Sequence, residues 1–516
     1  MKEIFSGFKI PAKVCSMWEW AFLSCILILS SLLLLLNLNN HYLWQDEAQT
    51  ALLAKTVMDR AAPYGTDGIN FFSQELGAEY GENYIWRWHT WFPFYLVAGF
   101  FKLFGTSTFV ARLPFALFGI ATVVLLYFFT DELWHDKHAS VMAVILILLC
   151  VPFLLLSRQC RYYSPSAFFS LLGLFAYIRI LDRRKFAIPL SIFAGTLLFH
   201  THFIYTASLL AGMALHCLLF SRKAWRQVVV ACSGVLLLSI PWIVWLSGMR
   251  YGEVYEGSMF RLDTFISKAA TFGLQTADHI FPMFFLLVPA AVVLFAWFQK
   301  QKIRWKNREL WNAIAIPITF TLTTLIALSC TSPGPFLRYL CPIIPPMLAI
   351  AGILLAITVK LHWLGGALLI ILTIVHHPIM DFMGELRNDY DGPIEGLVKF
   401  LKINAKSTDV VAITYGDMPL KFYTDLRIVG GLTGEDLSAS RTARWVIIRR
   451  NIISQKDYAV RQYLIQHLDP QRYRRIVIDY PDLPFENRES PDEHRFKTAV
   501  SVPPVEIYER MELKNP

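Results

Sequence analysis

The chain has 516 residues, 55% of them hydrophobic and 15% aromatic, and a formal charge of +9. Apolar residues exceed what a soluble core of this size uses, which excludes an ordinary soluble enzyme and points to a polytopic membrane protein. The excess positive charge falls in short stretches between apolar runs, so it reports membrane topology and not nucleic-acid binding.

The first apolar run, 18–38, is too long for a signal-peptide core and has no small-residue cleavage site after it, so it is expected to stay as an anchor. Further runs lie near 110–130, 140–157, 164–181, 187–200, 202–220, 227–247, 280–298, 311–330, 340–359 and 363–380. Together they predict about eleven transmembrane helices. With a cytoplasmic N-terminus the inner loops are "DELWHDKHAS", "DRRK", "SRKAWR", "QKQKIRWKNREL" and the turn at Lys360, and all but the first are plainly basic. The loops 39–109 and 248–279 and the C-terminus then lie outside. "WFPFYLVAGFFKLFG" (91–105) is short and interrupted by Lys102, which predicts an interfacial or re-entrant helix.

The chain divides into a membrane domain, 1–380, and an extracytoplasmic α/β domain, 381–516. The second shows helix-like "PIEGLVKFLKINA", strand-like "DVVAITY", helix-like "MPLKFYTD" and strand-like "RWVIIRR" and "RRIVIDY". "GGLTGED" (430–436) follows a strand and reads as a turn, a lone glycine cluster being a weak sign of a phosphate loop. "PFENRESPDEHRF" (484–496) reads as a polar surface loop. "RYGEVYEGSMFRLD" in loop 248–279 reads either as a lid or as a solvated connector. No convincing internal repeat is present.

Eight scattered cysteines without a CxxC pair argue against zinc and against a disulfide framework, although Cys330 and Cys341 flank one short loop. No cofactor is expected, and a divalent metal near Asp46 and Glu47 is the less favoured alternative.

The charges that need a reason are at the outer face. Arg158 and Arg161 in "SRQCRYYSPS" and Arg338 in "TSPGPFLRYLCP" sit where the positive-inside rule leaves few arginines. Guanidinium groups suit a phosphate because the planar fork donates parallel hydrogen bonds and keeps its charge. Tyr162, Tyr163 and Tyr339 beside them supply hydroxyl donors, and snorkelling in the aromatic belt is the alternative. His200 and His202 in "HTH" cap another outer turn, where they add donors but make a poor metal site without carboxylates.

Asp46 and Glu47 in "HYLWQDEAQTALLAKTVM" follow the first run directly. Asp46 with Gln49 fits an N-cap and capping box, and Glu47 fits the helix dipole. A carboxylate beside a phosphate site also fits acid–base work on a lipid-linked phosphate ester. Arg112 in "ARLP" reads as structural, fixing loop 39–109 where a span opens.

"WQDEAQTA", "RWHTWFPFYLVAGFFKLFGTSTFVARLPFALFG", "SRQCRYYSPSAFF" and "RYLCPIIPPMLAI" together resemble motifs of the type-C glycosyltransferases related to protein O-mannosyltransferases and lipid A aminoarabinose transferases. The resemblance covers roughly 15–380. It implies an enzyme of the bacterial inner membrane that takes a sugar from a polyprenyl-phosphate carrier at the outer face, with inversion, and passes it to a lipid, glycan or protein hydroxyl. Carried over, Asp46 is the base, with Glu47 beside it. Arg161 and Arg338 take the carrier phosphate, and His89 with Pro93 keep part of the family's His-Pro series. The alternatives are a transporter or flippase of lipid-linked anions, which calls for broken helices near mid-membrane and repeat symmetry, and an outer-domain scaffold.

Overall fold

Backbone in lipid must satisfy its own hydrogen bonds, so each long apolar run forms helix. The computed structural model describes residues 17–248, 261–299, 307–450, 455–483, 491, 493–498 and 501–511. In chain order the first helices are α1 Met17–Leu35, α2 Gln45–Arg60, α3 Phe92–Phe104, α4 Thr108–Trp134, α5 Lys137–Leu149, α6 Val151–Ser157 and α7 Tyr163–Leu181. They are followed by α8 Ala187–Thr201, α9 Phe203–Phe220, α10 Trp225–Leu246, α11 Leu262–His279, α12 Phe284–Phe298 and α13 Asn307–Thr331. The 3-10 turn Leu337–Ile343 then leads into α14 Ile344–Leu361, α15 Trp363–His376 and α16 Ile379–Glu385.

Among the described residues seven helices are long and apolar enough to cross a membrane, and three bent pairs raise the number to ten. The pairs are α5 with α6, α11 with α12 and α15 with α16, bent by 69°, 63° and 50°. The eleventh expected span is α8, whose 15 residues fall short of the roughly 20 that cross a bilayer. Two of these breaks interrupt the runs 140–157 and 363–380, which read as continuous, whereas α11 is a helix within 248–279, expected as an outer loop. Pro152, Pro282 and Pro378 lie one at each break, where a missing N–H stops a helix from running on. The short helix predicted at 91–105 is α3. Residues 249–260, which hold most of the lid-or-connector segment, and residues 300–306 of the basic loop lie outside the described residues.

Ion pairs show which connections share an end of the bundle. Lys137 pairs with Asp131 at 2.8 Å and with Glu19 at 3.3 Å, and Lys360 pairs with Asp136. The start of α1, the α4–α5 connection and the α14–α15 turn therefore meet at one end, as their expected common side requires. Close packing holds the layers together. A Cβ at Gly352 on α14 would lie 2.6 Å from the backbone N of Ala143 on α5, so only glycine admits this approach.

The C-terminal region continues with α17 Pro393–Asn404, β1 Val410–Ile413, α18 Asp417–Tyr423, β2 Arg427–Gly430, β3 Trp445–Ile447, α19 Gln455–His467, β4 Tyr473–Pro481 and β5 Pro504–Arg510. Ile394, Leu397, Val398 and Leu401 form one buried stripe of α17 at helical spacing. The sheet order is β2-β1-β3-β5-β4, with β1 parallel to β2 and β3, and β5 antiparallel to β3 and β4. All five elements read from the sequence here are present. β2, at four residues, and β5, which alternates with charges, lacked a readable apolar run.

This region docks on the end of the bundle that carries α2. Tyr42 N donates to Glu395 Oε1 at 2.7 Å, Tyr390 N to Asn40 O at 3.3 Å, and Gln45 Nε2 to Asp417 Oδ1 at 2.7 Å. "GGLTGED" is a turn in which Gly430, Gly431 and Gly434 adopt positive φ. Its residues line one side of a largely apolar cavity of about 520 Å³, closed by Leu76, Val460 and Tyr463. Cys330 and Cys341 are both free thiols.

Candidate active site

α2 starts at Gln45, not at the expected Asp46 cap: Trp44 is the cap residue, and Glu47 reaches back to accept from Trp44 N at 3.3 Å. The capping function expected of Asp46 thus falls to its neighbour. Glu47 is fully buried, taking Nε and Nη2 of Arg112 at 2.8 and 2.6 Å and Cys160 N at 2.7 Å. Arg112 also donates to the carbonyls of Leu38, His41 and Tyr42. As expected for a structural arginine, it ties the start of loop 39–109 to α4.

With Glu47 committed inward, Asp46 faces the other way with its side chain 19% exposed. Arg161 stands 3.5 Å from Asp46 Oδ2, and its Nη1 donates to Thr50 Oγ1 at 3.0 Å. The bend between α5 and α6 delivers the turn that carries it. Burial pulls the Arg161 guanidinium down, but Asp46 together with Tyr163 and Tyr162 outweighs this and holds it above its ordinary value.

Around this pair gather residues from three other segments. The Arg161 guanidinium lies over Tyr162 at 5.6 Å, and Tyr162 packs on His202 at 4.6 Å and on His89 at 6.2 Å. Arg338 lies over Phe336, Tyr339 and Trp44 at 4.4, 5.6 and 5.8 Å. Tyr205, from the start of α9, packs on His202 at 4.8 Å and donates to Tyr339 O at 3.1 Å. His89 accepts no partner at Nε2 and His202 none at Nδ1 among the described residues, and Nε of Arg161 is likewise buried without one. Unmet buried donors and acceptors of this kind call for a polar occupant.

Of the residues picked from sequence, Asp46, Arg161, Tyr162, Arg338, Tyr339, His89 and His202 come together here. Tyr163 is fully buried at the edge, its ring 4.9 Å from Tyr162. Two residues are placed elsewhere. Arg158, expected at the phosphate, instead donates to the carbonyls of Leu33, Leu36 and Asn37 at the end of α1 and approaches Glu385 at 3.8 Å. His200 turns to Trp242 of α10, with ring centroids 5.3 Å apart. The sequence reading missed Trp44, Tyr205 and Glu79. Glu79 is buried and accepts from Ser73 Oγ, Gln74 N, Glu75 N and Gln49 Nε2, which binds the loop after α2 to α2 itself.

An integral membrane protein with a carboxylate and two arginines gathered at one end of its helical bundle is the class these features define. Residues 89–245 match the family profile described as dolichyl-phosphate-mannose-protein mannosyltransferase. The chain is 25% identical over 370 residues to the undecaprenyl phosphate-alpha-4-amino-4-deoxy-L-arabinose arabinosyl transferase 2 of Pseudomonas fluorescens, covering 67% of this chain and 58% of that protein. A corresponding transferase of Pseudomonas aeruginosa is 24% identical, covering 64% and 58%. The chain thus spans under two thirds of the length of these curated relatives. The crystal structure of ArnT from Cupriavidus metallidurans bound to undecaprenyl phosphate superposes with a TM-score of 0.58 at 12% identity, over 97% of this chain and 99% of that one. The apo oligosaccharyltransferase of Archaeoglobus fulgidus superposes with a TM-score of 0.51 at 14% identity, over 90% and 70%. The chain is thus similar, over residues 89–245, to the dolichyl-phosphate-mannose-protein mannosyltransferase family and, over about two thirds of its length, to undecaprenyl-phosphate-linked aminoarabinose transferases.

Proposed function

We propose that this protein transfers a sugar from a polyprenyl-phosphate carrier to an acceptor hydroxyl at the extracytoplasmic face of a bacterial inner membrane. The observation that carries the reading is the Asp46–Arg161 pair, partly open and flanked by Arg338, at the end of the bundle opposite the Lys137 and Lys360 loops. The relatives whose names specify undecaprenyl-phosphate-linked sugars support the donor class.

In this mechanism the donor phosphate binds between Arg161 and Arg338 and takes over as counter-ion to Arg161. Asp46 is thereby released to accept a proton. It removes that proton from the acceptor hydroxyl as the oxygen attacks the anomeric carbon. The bond from that carbon to the phosphate oxygen breaks, its electron pair leaves with the phosphate, and the two guanidinium groups stabilise the charge. Attack from the side opposite the phosphate inverts the anomeric centre. Glu47 is a positioning residue, since both its oxygens are occupied by Arg112 and backbone N–H groups. His89, His202, Tyr162 and Tyr339 line the sugar and phosphate region.

The three bent helix pairs also suit a transporter of lipid-linked anions, which would need the arginines but no base. One experiment separates the two. In cells lacking the gene, the sugar-loaded carrier pool and the surface glycans are measured by mass spectrometry after complementation with wild type or Asp46→Asn. Loss of one glycan residue with carrier accumulation, restored by wild type alone, is expected. Full complementation by Asp46→Asn would remove the transferase reading.

A further inference from the structure

His494 lies in the segment read as a polar surface loop, yet it is buried, with Nε2 2.7 Å from Glu385 Oε2. Glu385 closes α16, and beside it stands His41 from the stretch between α1 and α2. One ligand-capable atom from each of His41, Glu385 and His494 lies within 4.8 Å of the other two, and all three residues are buried. His41 Nε2 has no hydrogen-bond partner among the described residues. A buried imidazole nitrogen left bare beside a second imidazole and a carboxylate is costly unless something sits between them.

We propose that His41, Glu385 and His494 bind one Zn2+, which staples the C-terminal α/β region to the membrane bundle. Two imidazole nitrogens and one carboxylate oxygen are a usual zinc donor set, with a water completing the tetrahedron. Ligand atoms at zinc bond lengths stand roughly 3.3 Å apart. That spacing lies between the 2.7 Å His494–Glu385 contact and the 4.8 Å limit of the cluster, so small side-chain shifts suffice. The outer contacts fit as well. Tyr390 stacks on the His41 ring at 4.0 Å and Phe496 packs on His494 at 4.5 Å, which holds both rings in place. Arg158 approaches the other carboxylate oxygen, Oε1, at 3.8 Å, and its Nη groups are held by α1 carbonyls, so it orients Glu385 without occupying the metal-facing oxygen. The sequence points to no zinc, but the cysteine pattern behind that expectation bears only on thiolate ligands. This donor set comes from three segments far apart in sequence, and no local spacing announces it.

The proposal is independent of sugar transfer, and its test needs no activity. The full chain, purified in detergent and stripped with EDTA, is titrated with Zn2+ alone, and metal that co-elutes on gel filtration is counted by mass spectrometry. Wild type is expected to retain about one Zn2+ per chain and to melt at a higher temperature when loaded. His41→Ala and His494→Ala are expected to bind at least about tenfold more weakly. Should either variant fail to elute as a single species, Co2+-loaded wild type decides: a tetrahedral visible absorption supports the site. Wild type that retains no Zn2+, a His41→Ala/His494→Ala double variant that keeps the full equivalent, or a Co2+ spectrum of the aqua ion would each overturn it.

Discussion

Arg112 and Glu47 meet through two parallel hydrogen bonds of 2.8 and 2.6 Å with neither side chain appreciably exposed, and the same guanidinium holds three carbonyls between α1 and α2. This pair sets the direction in which α2 leaves the membrane, and so where Asp46 points. Removing one partner leaves a buried charge uncompensated, which costs about 3–5 kcal/mol. Arg112→Ala is therefore expected to lower the melting temperature sharply, and Arg112→Lys to recover only part of the loss because a lysine lacks the fork. A thermal series in detergent checks this. An Arg112→Ala protein as stable as wild type would show that the pair is not a fold determinant.

The three outer arginines separate by what their N–H groups already hold. Arg158 is spent on the end of α1, whereas Arg161 and Arg338 border the open side of Asp46. Losing a charged hydrogen bond to the donor phosphate is worth about 1.5–3 kcal/mol. Under the proposed function, Arg161→Ala and Arg338→Ala should then raise KM for a polyprenyl-phosphate donor by about 10- to 100-fold. Arg158→Ala should instead reduce stability and leave KM near the wild-type value in the fraction that stays folded. Equal KM effects at all three positions would show that the division is wrong.

Asp417 links the C-terminal region to the same helix. Its Oδ1 accepts from Gln45 Nε2 and its Oδ2 from Lys421 Nζ, each at 2.7 Å, and the Asp417 and Lys421 side chains are fully buried. Lys421 donates onward to Phe71 O. Asp417→Ala strands the Lys421 charge and frees the first residue of α2, next to Asp46. Faster amide hydrogen exchange in the first turn of α2, with the far end of the bundle unchanged, is the expected result. Uniform exchange across α2 in wild type and variant would mean the contact carries no coupling.

Apolar run length made helices at all eleven expected spans legible, but not their bends, because hydropathy does not record where a helix changes direction. At the site, residue type made Arg161 and Arg338 visible as misplaced charges. It could not separate Arg161 from Arg158 three positions earlier, since that depends on which carbonyls α1 leaves at its end. The Asp46–Glu47 doublet was legible as a feature, but the capping role that fitted Asp46 falls to Glu47, which also turns inward to Arg112. Trp44 and Tyr205 offered no signal, since an aromatic at a membrane surface is ordinary. The His41, Glu385 and His494 cluster was invisible for a different reason, its members meeting only once the C-terminal region docks.

His89 gives the site a pH dependence whose sign is fixed. Burial, reinforced by the nearby Arg161 charge, pushes its imidazole down from the ordinary value to about 3. Above pH 6.5 the ring is neutral in both folded and unfolded chains and contributes nothing. Below that, the unfolded chain takes up a proton that the folded one refuses, so stability falls until about pH 3, where the folded ring also protonates. At pH 5 the loss from this residue is about 2 kcal/mol. Melting temperatures measured from pH 8 down to pH 4 should decline in wild type, and less steeply in His89→Gln. A polyprenyl phosphate seated beside Arg161 adds a negative charge near the ring and favours its protonated form. The carrier-loaded protein should accordingly lose less stability in acid than the carrier-free protein, and parallel pH profiles for the two would place the phosphate away from His89.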